Sequence, residues 1–388
     1  MKKRIPTARP GSIGRVALVT ALCGIVLAGC GSSTGTGSTG DVVKSSAKGS
    51  TEGSTASSTP AAGSTTSEAK PSDTQPLTKM TVAMNWITPS AGADYYMTAR
   101  EKGYYEDAGL DVEFTWLQGS NLAAQAIGTG NVDLADVDPS SILIAMSQGV
   151  PMTVVATPLQ NSPMGIVTLK ENGINSLADL SGKTVSTAAA GPDNAVLTGL
   201  LDQIGIKDKV TLSFVDATAK CTLMVAGQSD ACTGQITGHV GQVEAASHKP
   251  AEFIPFSTDK QPIPGTSIVA NQDFLKKNPE AVRKFLEATF RGVKDAGADV
   301  DASIKLMQRL RKEAGGSEAD LQGIVSGVTN AHTLWHSPST EAHGWGWVDP
   351  AGWATLQKML FDGEIIKKEV DFSGSFTNDY LPKDSQDF

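Results

Sequence analysis

The sequence predicts an α/β protein with two lobes. From residue 79 onward, short apolar runs alternate with amphipathic segments, which is the pattern of α/β architecture. The pattern occurs in two similar successive units, and a mostly helical tail follows the second unit. About 310 residues belong to this part of the chain, which is enough for two lobes of ordinary size.

The first unit opens with an apolar run that ends at Trp86, followed by a helical segment that Gly103 terminates. The same alternation then completes the unit. Its predicted strands are 80–86, 110–116, 133–136 and 152–156, and its predicted helices are 91–102, 121–127 and 140–148.

The second unit repeats this scheme with more strands. Its predicted strands are 165–169, 184–187, 211–214, 229–232 and 252–255, and its predicted helices are 194–204, 218–227 and 238–246. We expect one lobe to contain residues 77–161 and 260–388 and the other to contain 162–259. The connections are expected near 160–163 and 259–265.

The tail begins near Asn271, and Pro279 marks a helix start. Apolar side chains recur at helical spacing in the segment that follows, from Val282 to Val293. Further helices are predicted at 302–311, 321–332 and 351–361. We expect the tail to pack on the first lobe.

Residues 1–29 have the pattern of a signal peptide, in which basic residues precede an apolar run at 16–28. That run is too short to span a bilayer, which takes about 20 apolar residues. It ends in Leu27-Ala28-Gly29-Cys30, a lipobox in which the Cys30 thiol accepts a diacylglyceryl group. The alternative is an ordinary signal peptide with an unrelated cysteine. Residues 30–76 are mostly Gly, Ser, Thr and Ala and predict a flexible tether, so we expect an extracytoplasmic protein that is lipid-anchored to the cell membrane.

The composition argues against several partners and sites. The chain has 32 basic and 41 acidic residues and no evident basic patch, so nucleic acid is not an expected partner. His332 and His336 are spaced i, i+4, with His343 beyond, but no positioned fourth ligand follows, and we expect neither a metal site nor a cofactor. Cys221 and Cys232 lie in a compartment that permits disulfides, and the sequence leaves open a bridge or two separate thiols.

Several segments, taken together in their order and spacing, resemble a family of transport proteins. They are Asn85-Trp86, 99–112, 131–135, 148–151, 176–185, 348–353 and 376–382. These segments are similar to ABC-importer solute-binding proteins, in the branch that includes binding proteins for thiamine-pyrimidine precursors, riboflavin, sulfonates and nitrate. The resemblance implies a type II periplasmic-binding-protein fold with a hinge and a cleft between the lobes. Segment 87–94 differs from many pyrimidine-branch members because it contains no histidine.

The resemblance implies that the protein is not an enzyme but a solute-binding subunit. We expect a monomer that captures a small, flat, nitrogen-containing solute of the pyrimidine, thiamine-precursor or riboflavin type by hinge closure and delivers it to an ABC permease. Sulfonate, taurine or nitrate is the alternative solute class. A pyrimidine-synthesis enzyme, as in the eukaryotic arm of the family, and a surface adhesin are further alternatives.

Ligands of open α/β sheets bind beyond the carboxyl ends of the strands. Trp86 ends the first predicted strand and is expected to stack on a flat ligand, the alternative being a core position. Tyr95 and Tyr96 open the next helix and are expected to wall the cleft, the alternative being that at least one of them is a core residue. Asp136 and Asp138 follow the third predicted strand, where carboxylates favour a solute with N–H or cationic groups over an anion.

Other candidates lie at turns between elements. Ser120 and Asp138 each precede a helix, and each either faces the ligand or caps that helix. Asp193 and Asn194 belong to a turn that resembles the small-residue turn through which related proteins bring backbone amides to the ligand. The remaining candidates are Gln235, after a second-lobe strand, and Gln160 and Asn161, in the predicted hinge.

Overall fold

The computed structural model describes residues 76–388 apart from positions 190, 191, 259 and 387. The predicted signal peptide, Cys30 and nearly all of the predicted tether therefore lie outside the described residues. Within this described part, none of the helices is long and apolar enough to cross a membrane.

In the described residues, ten strands form two mixed sheets of five strands each. The strands are β1 (Thr78–Met84), β2 (Leu110–Trp116), β3 (Leu134–Val137), β4 (Met152–Ala156), β5 (Met164–Leu169), β6 (Thr184–Thr187), β7 (Thr211–Phe214), β8 (Ala231–Gln235), β9 (Ala251–Pro255) and β10 (Ser267–Asn271). The helices in the same part of the chain are α1 (Asp94–Glu101), α2 (Tyr104–Asp107), α3 (Ser120–Gly128), α4 (Pro139–Ser147), α5 (Pro192–Gln203), α6 (Lys220–Val225), α7 (His239–Ser247), α8 (Gln272–Lys277), α9 (Pro279–Ala298), α10 (Val300–Glu313), α11 (Glu318–Thr333), α12 (Pro338–His343) and α13 (Pro350–Asp362).

The first sheet has the strand order β2-β1-β3-β10-β4. β1 pairs in parallel with β2 and β3, whereas β10 is antiparallel to both β3 and β4. β10 is not among the strands predicted from the sequence, because it lies between the predicted connection at 259–265 and the helical tail that begins near Asn271. The chain returns from the second sheet and inserts β10 between two strands of the first sheet.

The second sheet has the order β7-β6-β8-β5-β9, with β6 parallel to β7 and β8, and with β5 antiparallel to β8 and β9. The chain passes between the sheets after β4 and returns after β9. Two sheets covered by helices confirm the predicted α/β class. The predicted lobe boundaries stay a prediction.

The helical tail contacts the helices of both sheets. α9 and α10 pack on α1 beside the first sheet, as predicted. α11 also packs on α7 of the second sheet, and α13 contacts both α4 and α5. The tail therefore extends beyond the first lobe and bridges to the second.

Buried apolar side chains form two large clusters in the described residues. One contains only first-sheet and tail residues, with Tyr95, Tyr105, Phe285 and Trp345 among its largest members. The other includes residues of both sheets together with Trp353 of α13. The two sheets thus share a hydrophobic core.

Cys221 of α6 and Cys232 of β8 form a disulfide in the structure. The bridge ties the helix to its neighbouring strand in the second sheet and closes a loop with a sequence separation of 11. In the chain-entropy account, a loop of this length stabilises the fold by roughly 3 kcal/mol.

Candidate functional site

A cleft of about 370 Å³ lies between the segments that follow the strands of both sheets. Its lining includes one residue after the carboxyl end of each of five strands: Trp86 after β1, Ser120 after β2, Asp138 after β3, Asp193 after β6 and Lys220 after β7. This is the position at which open α/β sheets bind ligands, and the volume suits a small organic molecule.

Trp86 provides the main aromatic surface of the cleft. It lies in the bend after β1 and is only half-buried, in contrast to the fully buried tryptophans of the core. Pro89 and Ala91 line the cleft beside it. An indole ring at this place can stack on a flat ligand, which is the role expected for Trp86 from the sequence.

Asp138 is both a helix cap and a cleft residue. Its carboxylate accepts a hydrogen bond from the backbone N–H of Ser140 at 2.8 Å, and its own N–H donates to Oγ of Ser120 at 3.0 Å. Burial raises the pKa of Asp138 to about 6, an effect that the hydrogen bonds from Ser140 oppose and the nearby charge of Asp193 reinforces. Ser120 therefore supports the Asp138 segment, whereas Gly119 occupies the cap position of α3.

The second-sheet wall contains a buried ion pair. The Lys220 ammonium donates to the Asp193 carboxylate, and both side chains are almost completely buried. The Thr233 hydroxyl donates a hydrogen bond to the same carboxylate, and its Oγ1 lies 3.0 Å from Oγ1 of Thr187. Because each charge is compensated, this wall is polar but close to neutral.

His239 and Gln235 form the part of the wall next to this pair. The backbone N–H of Gln235 donates to Nδ1 of His239 at 3.1 Å. Burial, reinforced by the positive charge of Lys220 and opposed by Asp193, lowers the pKa of His239 to about 4. The imidazole is therefore neutral at physiological pH.

The tail supplies a third wall. Arg311 of α10 and Asp320 of α11 line the cleft and form an ion pair at 3.0 Å. Gln242 of α7 donates to the same Asp320 oxygen at 3.2 Å, which connects the tail to the second sheet.

The charges of the cleft are unequally compensated. Both cationic side chains of the lining, Lys220 and Arg311, are paired with a carboxylate. Asp138 forms no ion pair with any residue in the described part of the chain. The cleft thus presents an acceptor with negative character and no uncompensated cation among its described lining residues.

Three predicted site residues lie in the core instead of the cleft. Tyr95 and Tyr96 are fully buried, with ring centroids 4.3 Å apart, because this face of α1 packs against α9. Asp136 accepts a hydrogen bond from the Tyr96 hydroxyl at 3.0 Å and is also buried. The prediction that these three residues line the cleft is therefore wrong. Asp136 lies within β3, whereas Asp138 follows the end of β3 and lines the cleft.

The hinge candidates and Asn194 have protein partners and do not line the cleft. Gln160 donates to the carbonyl oxygen of Trp347 at 3.0 Å, and its own oxygen accepts from the hydroxyl of Ser337. Asn161 donates to the carbonyl oxygen of His336 at 3.4 Å, and Asn194 to that of Ala189 at 3.2 Å. Their hydrogen bonds connect local segments to one another. Contact with the solute is thus not their role in this conformation.

The site residues missed at the sequence level are Lys220, His239, Arg311 and Asp320. Lys220 and His239 begin helices that follow strands, so the rule of carboxyl strand ends would have identified them. Arg311 and Asp320 follow no strand. The packing of α11 on α7, and of α10 on α11, brings them to the cleft.

The histidines considered for metal binding have other contacts. Within the residues that the structure describes, no group of three or more His, Cys, Asp or Glu side chains is placed to hold a metal ion. Nε2 of His332 lies 2.6 Å from Oδ2 of Asp94, and the His336 ring stacks on Phe388.

Comparison with known proteins places the chain in a family. The family model described as NMT1/THI5 like matches residues 93–303, which is more than half of the chain. Riboflavin-binding protein RibY of Chloroflexus aurantiacus is 26% identical over 328 residues, which cover 84% of this chain and 92% of that protein. Formylaminopyrimidine-binding protein of Halalkalibacterium halodurans is 22% identical over 245 residues, which cover 63% and 74%.

Among solved structures, the periplasmic aliphatic sulphonate binding protein SsuA from Escherichia coli is similar with a TM-score of 0.61. The similarity covers 77% of this chain and 97% of that chain, at 15% sequence identity, and therefore shows the fold alone. It confirms the predicted periplasmic-binding-protein fold. The family match likewise confirms the resemblance seen in the sequence segments, and the chain belongs to the NMT1/THI5-like family.

Proposed function

We propose that the protein is the extracytoplasmic solute-binding subunit of an ABC importer and captures a small, flat, nitrogen-containing solute. The solute is of the pyrimidine, thiamine-precursor or riboflavin type. The names of two relatives, a riboflavin-binding and a formylaminopyrimidine-binding protein, support this class. Acylation of Cys30 anchors the protein to the membrane, and the permease receives the solute from the closed cleft.

The charge distribution of the cleft carries the proposal. An available cation stabilises a bound sulfonate or nitrate, and the two cations of this lining, Lys220 and Arg311, are already paired with carboxylates. Asp138 instead offers an acceptor to N–H groups, and a charged acceptor strengthens such hydrogen bonds. Trp86 provides the surface on which a planar ring stacks.

Hinge closure explains how a cleft built from two lobes holds its solute. The open form binds through one wall, and closure adds the contacts of the other wall. The solute favours the closed form only by as much as it binds that form more tightly. No catalytic step is part of this function, and we expect no turnover of the bound solute.

The first experiment is a thermal-shift screen of the chain carrying Cys30→Ser, which prevents lipidation. The compounds are cytosine, thiamine, riboflavin, taurine, an alkanesulfonate and nitrate. A compound at 100 times its Kd stabilises the folded state by about 2.7 kcal/mol, which raises Tm measurably. Stabilisation by a heterocycle supports the proposal, whereas stabilisation by a sulfonate or nitrate alone contradicts the solute class. Stabilisation by none of these compounds favours the adhesin alternative, and turnover of a bound compound favours an enzyme.

Replacement of Trp86 tests the stacking surface. We expect Trp86→Ala to weaken binding of the heterocycle about tenfold, because a stacked aromatic pair contributes about 1 kcal/mol beyond the area that it buries. Trp347→Ala is the matched control, since Trp347 is also half-buried but stacks on His343 outside the cleft. Calorimetry on the two variants measures the effect. Equal affinities for Trp86→Ala and the control would remove Trp86 from the site.

A further inference from the structure

His239 is a cleft residue whose ring orientation is determined by its neighbours. It is the first residue of α7 and borders the cleft. Its Nδ1 accepts the backbone N–H of Gln235 at 3.1 Å. Gly234 leaves room for the ring, because a Cβ atom at position 234 would lie 2.9 Å from Cβ of His239 and 3.1 Å from its Cγ.

This hydrogen bond determines the tautomer of the imidazole. A backbone N–H can only donate, so Nδ1 carries no proton while it accepts from Gln235. In a neutral imidazole the proton is then on Nε2. The ring is neutral because burial and the charge of Lys220 disfavour a second proton.

The Nε2–H group is available to a ligand. Among the described residues, Nε2 has no hydrogen-bond partner, and it is not one of the fully buried polar atoms without a partner. Nε2 is therefore not fully buried, and His239 is one of the residues that line the cleft. The Lys220 ammonium of the same wall is already paired with Asp193.

We propose that His239 is a specificity-determining hydrogen-bond donor, whose Nε2–H recognises a ring nitrogen or carbonyl oxygen of the solute. Asp138, from the first-sheet wall, accepts an N–H of the same solute. The solute is thus a planar heterocycle that carries both an acceptor and an N–H donor. This inference rests on the proposed function and adds to it the hydrogen-bonding pattern of the solute.

A purely structural role for His239 makes a different prediction. If the ring only satisfies the N–H of Gln235, any side chain with an acceptor at the Nδ1 position suffices. Asn has such an acceptor but is too short to carry a donor into the cleft, whereas Gln has an amide N–H at about the distance of Nε2. His239→Asn and His239→Gln therefore separate the two roles.

The tautomer is measured first by NMR of the chain carrying Cys30→Ser, with ¹⁵N-labelled histidine. The chain has 5 histidines, so loss of one signal set in His239→Asn assigns the residue. We expect the neutral Nε2–H tautomer without ligand, and a shift of the Nε2–H signal when riboflavin, thiamine or cytosine binds. A proton on Nδ1 overturns the inference whether or not a compound binds.

Calorimetry with the same three compounds then measures the donor. We expect His239→Asn to weaken binding about tenfold or more with little change in Tm, and His239→Gln to recover most of the affinity. Unchanged binding in His239→Asn overturns the role of His239 and leaves the proposed function intact. A wild-type protein that binds none of the three heterocycles contradicts the proposed function, and this role of His239 with it.

Discussion

Burial and pairing determine the charge of each carboxylate near the cleft. Asp193 is compensated by Lys220, and Asp138 is held by backbone and hydroxyl groups with no described cation. Among the described residues, the Tyr96 hydroxyl is the side-chain partner of Asp136, and burial raises the pKa of Asp136 to about 7. Of these three carboxylates, Asp138 is the one that lines the cleft without an ion-pair partner among the described residues, so it can accept a hydrogen bond from a solute in place of water.

The raised pKa of Asp136 predicts a pH-dependent stability. The pKa of Asp136 is higher in the folded protein than in the unfolded chain, so the folded protein binds more protons than the unfolded chain between about pH 4 and pH 7. The free energy of unfolding therefore falls as the pH rises through this range. Asp136→Asn removes the buried charge and still accepts from Tyr96. We expect it to stabilise the protein at pH 8 by on the order of 2–4 kcal/mol relative to wild type, with little effect at pH 5.

Urea unfolding at both pH values measures this difference. Asp179→Asn is the control, because Asp179 is a capping residue whose pKa is lowered by hydrogen bonds from Asn175 and Ser176. Its effect should be the same at pH 5 and pH 8, since Asp179 is ionised at both. An Asp136→Asn effect that does not change with pH would show that Asp136 is not the titrating group.

The sequence predicts which residues lie near the cleft but not in which direction each side chain points. The order of elements identifies which residues follow strands, and Trp86, Ser120, Asp138, Asp193 and Gln235 all line the cleft. Whether a helical residue faces the cleft or the core depends on the partner of its helix. The face of α1 with Tyr95 and Tyr96 packs on α9, a contact between segments about 190 residues apart that local periodicity does not encode.

At the scale of elements, α11 connects the two sheets through close backbone packing. Gly327 lies where a Cβ atom would overlap the carbonyl oxygen of Thr237 and approach Cβ of Ala91 to 2.7 Å. Thr237 follows β8 of the second sheet, and Ala91 precedes α1 beside the first. The helix therefore fits between the sheets only with a glycine at this position.

This packing predicts opposite effects for two glycines of α11. We expect Gly327→Ala to lower the free energy of unfolding by about 1–3 kcal/mol, because the new methyl group displaces α11 from the second sheet. Gly323→Ala is the matched control, since a Cβ atom there would meet Gln242 at an ordinary 3.5 Å. Both gain the same helix propensity, about 1 kcal/mol, so the control should be neutral or stabilising.

Urea unfolding and hydrogen exchange of the amides in α7 distinguish the two variants. Loss of protection in α7 for Gly327→Ala but not for Gly323→Ala is the expected result. Equal stability of the two variants would mean that α11 moves away from Thr237 at no cost, and that the contact does not hold the lobes together.

Non-local pairing also explains the strand that sequence patterns did not predict. β1 to β9 each belong to an alternation of apolar runs and helices that the local sequence displays. β10 is a five-residue segment that pairs antiparallel with β3 and β4, more than 100 residues earlier in the chain. Its pairing depends on the return of the chain to the first sheet, which no local signal marks.

At the scale of the whole molecule, the shared hydrophobic cluster couples the two sheets. Trp353 of α13 belongs to this cluster, together with Val154 of β4, Ile166 of β5 and Leu197 of α5. Because both sheets bury surface against the same residues, neither can unfold without exposing part of the other's core. Because of this shared cluster, we expect the two sheets to unfold in one cooperative transition.

The distribution of aromatic residues allows this coupling to be measured, because residues 161–260 contain no tryptophan or tyrosine. Tryptophan fluorescence therefore reports on the first sheet and the tail, and hydrogen exchange of β5–β9 reports on the second sheet. We expect equal urea midpoints from both probes in the wild-type protein.

Two tryptophan variants test the coupling. Trp353→Ala and Trp345→Ala each remove a fully buried tryptophan and should lower the free energy of unfolding by about 3–5 kcal/mol. Trp345, however, lies in the cluster without second-sheet residues. Trp353→Ala should separate the two midpoints and Trp345→Ala should shift them together, whereas two midpoints already present in the wild-type protein would show that the lobes unfold independently.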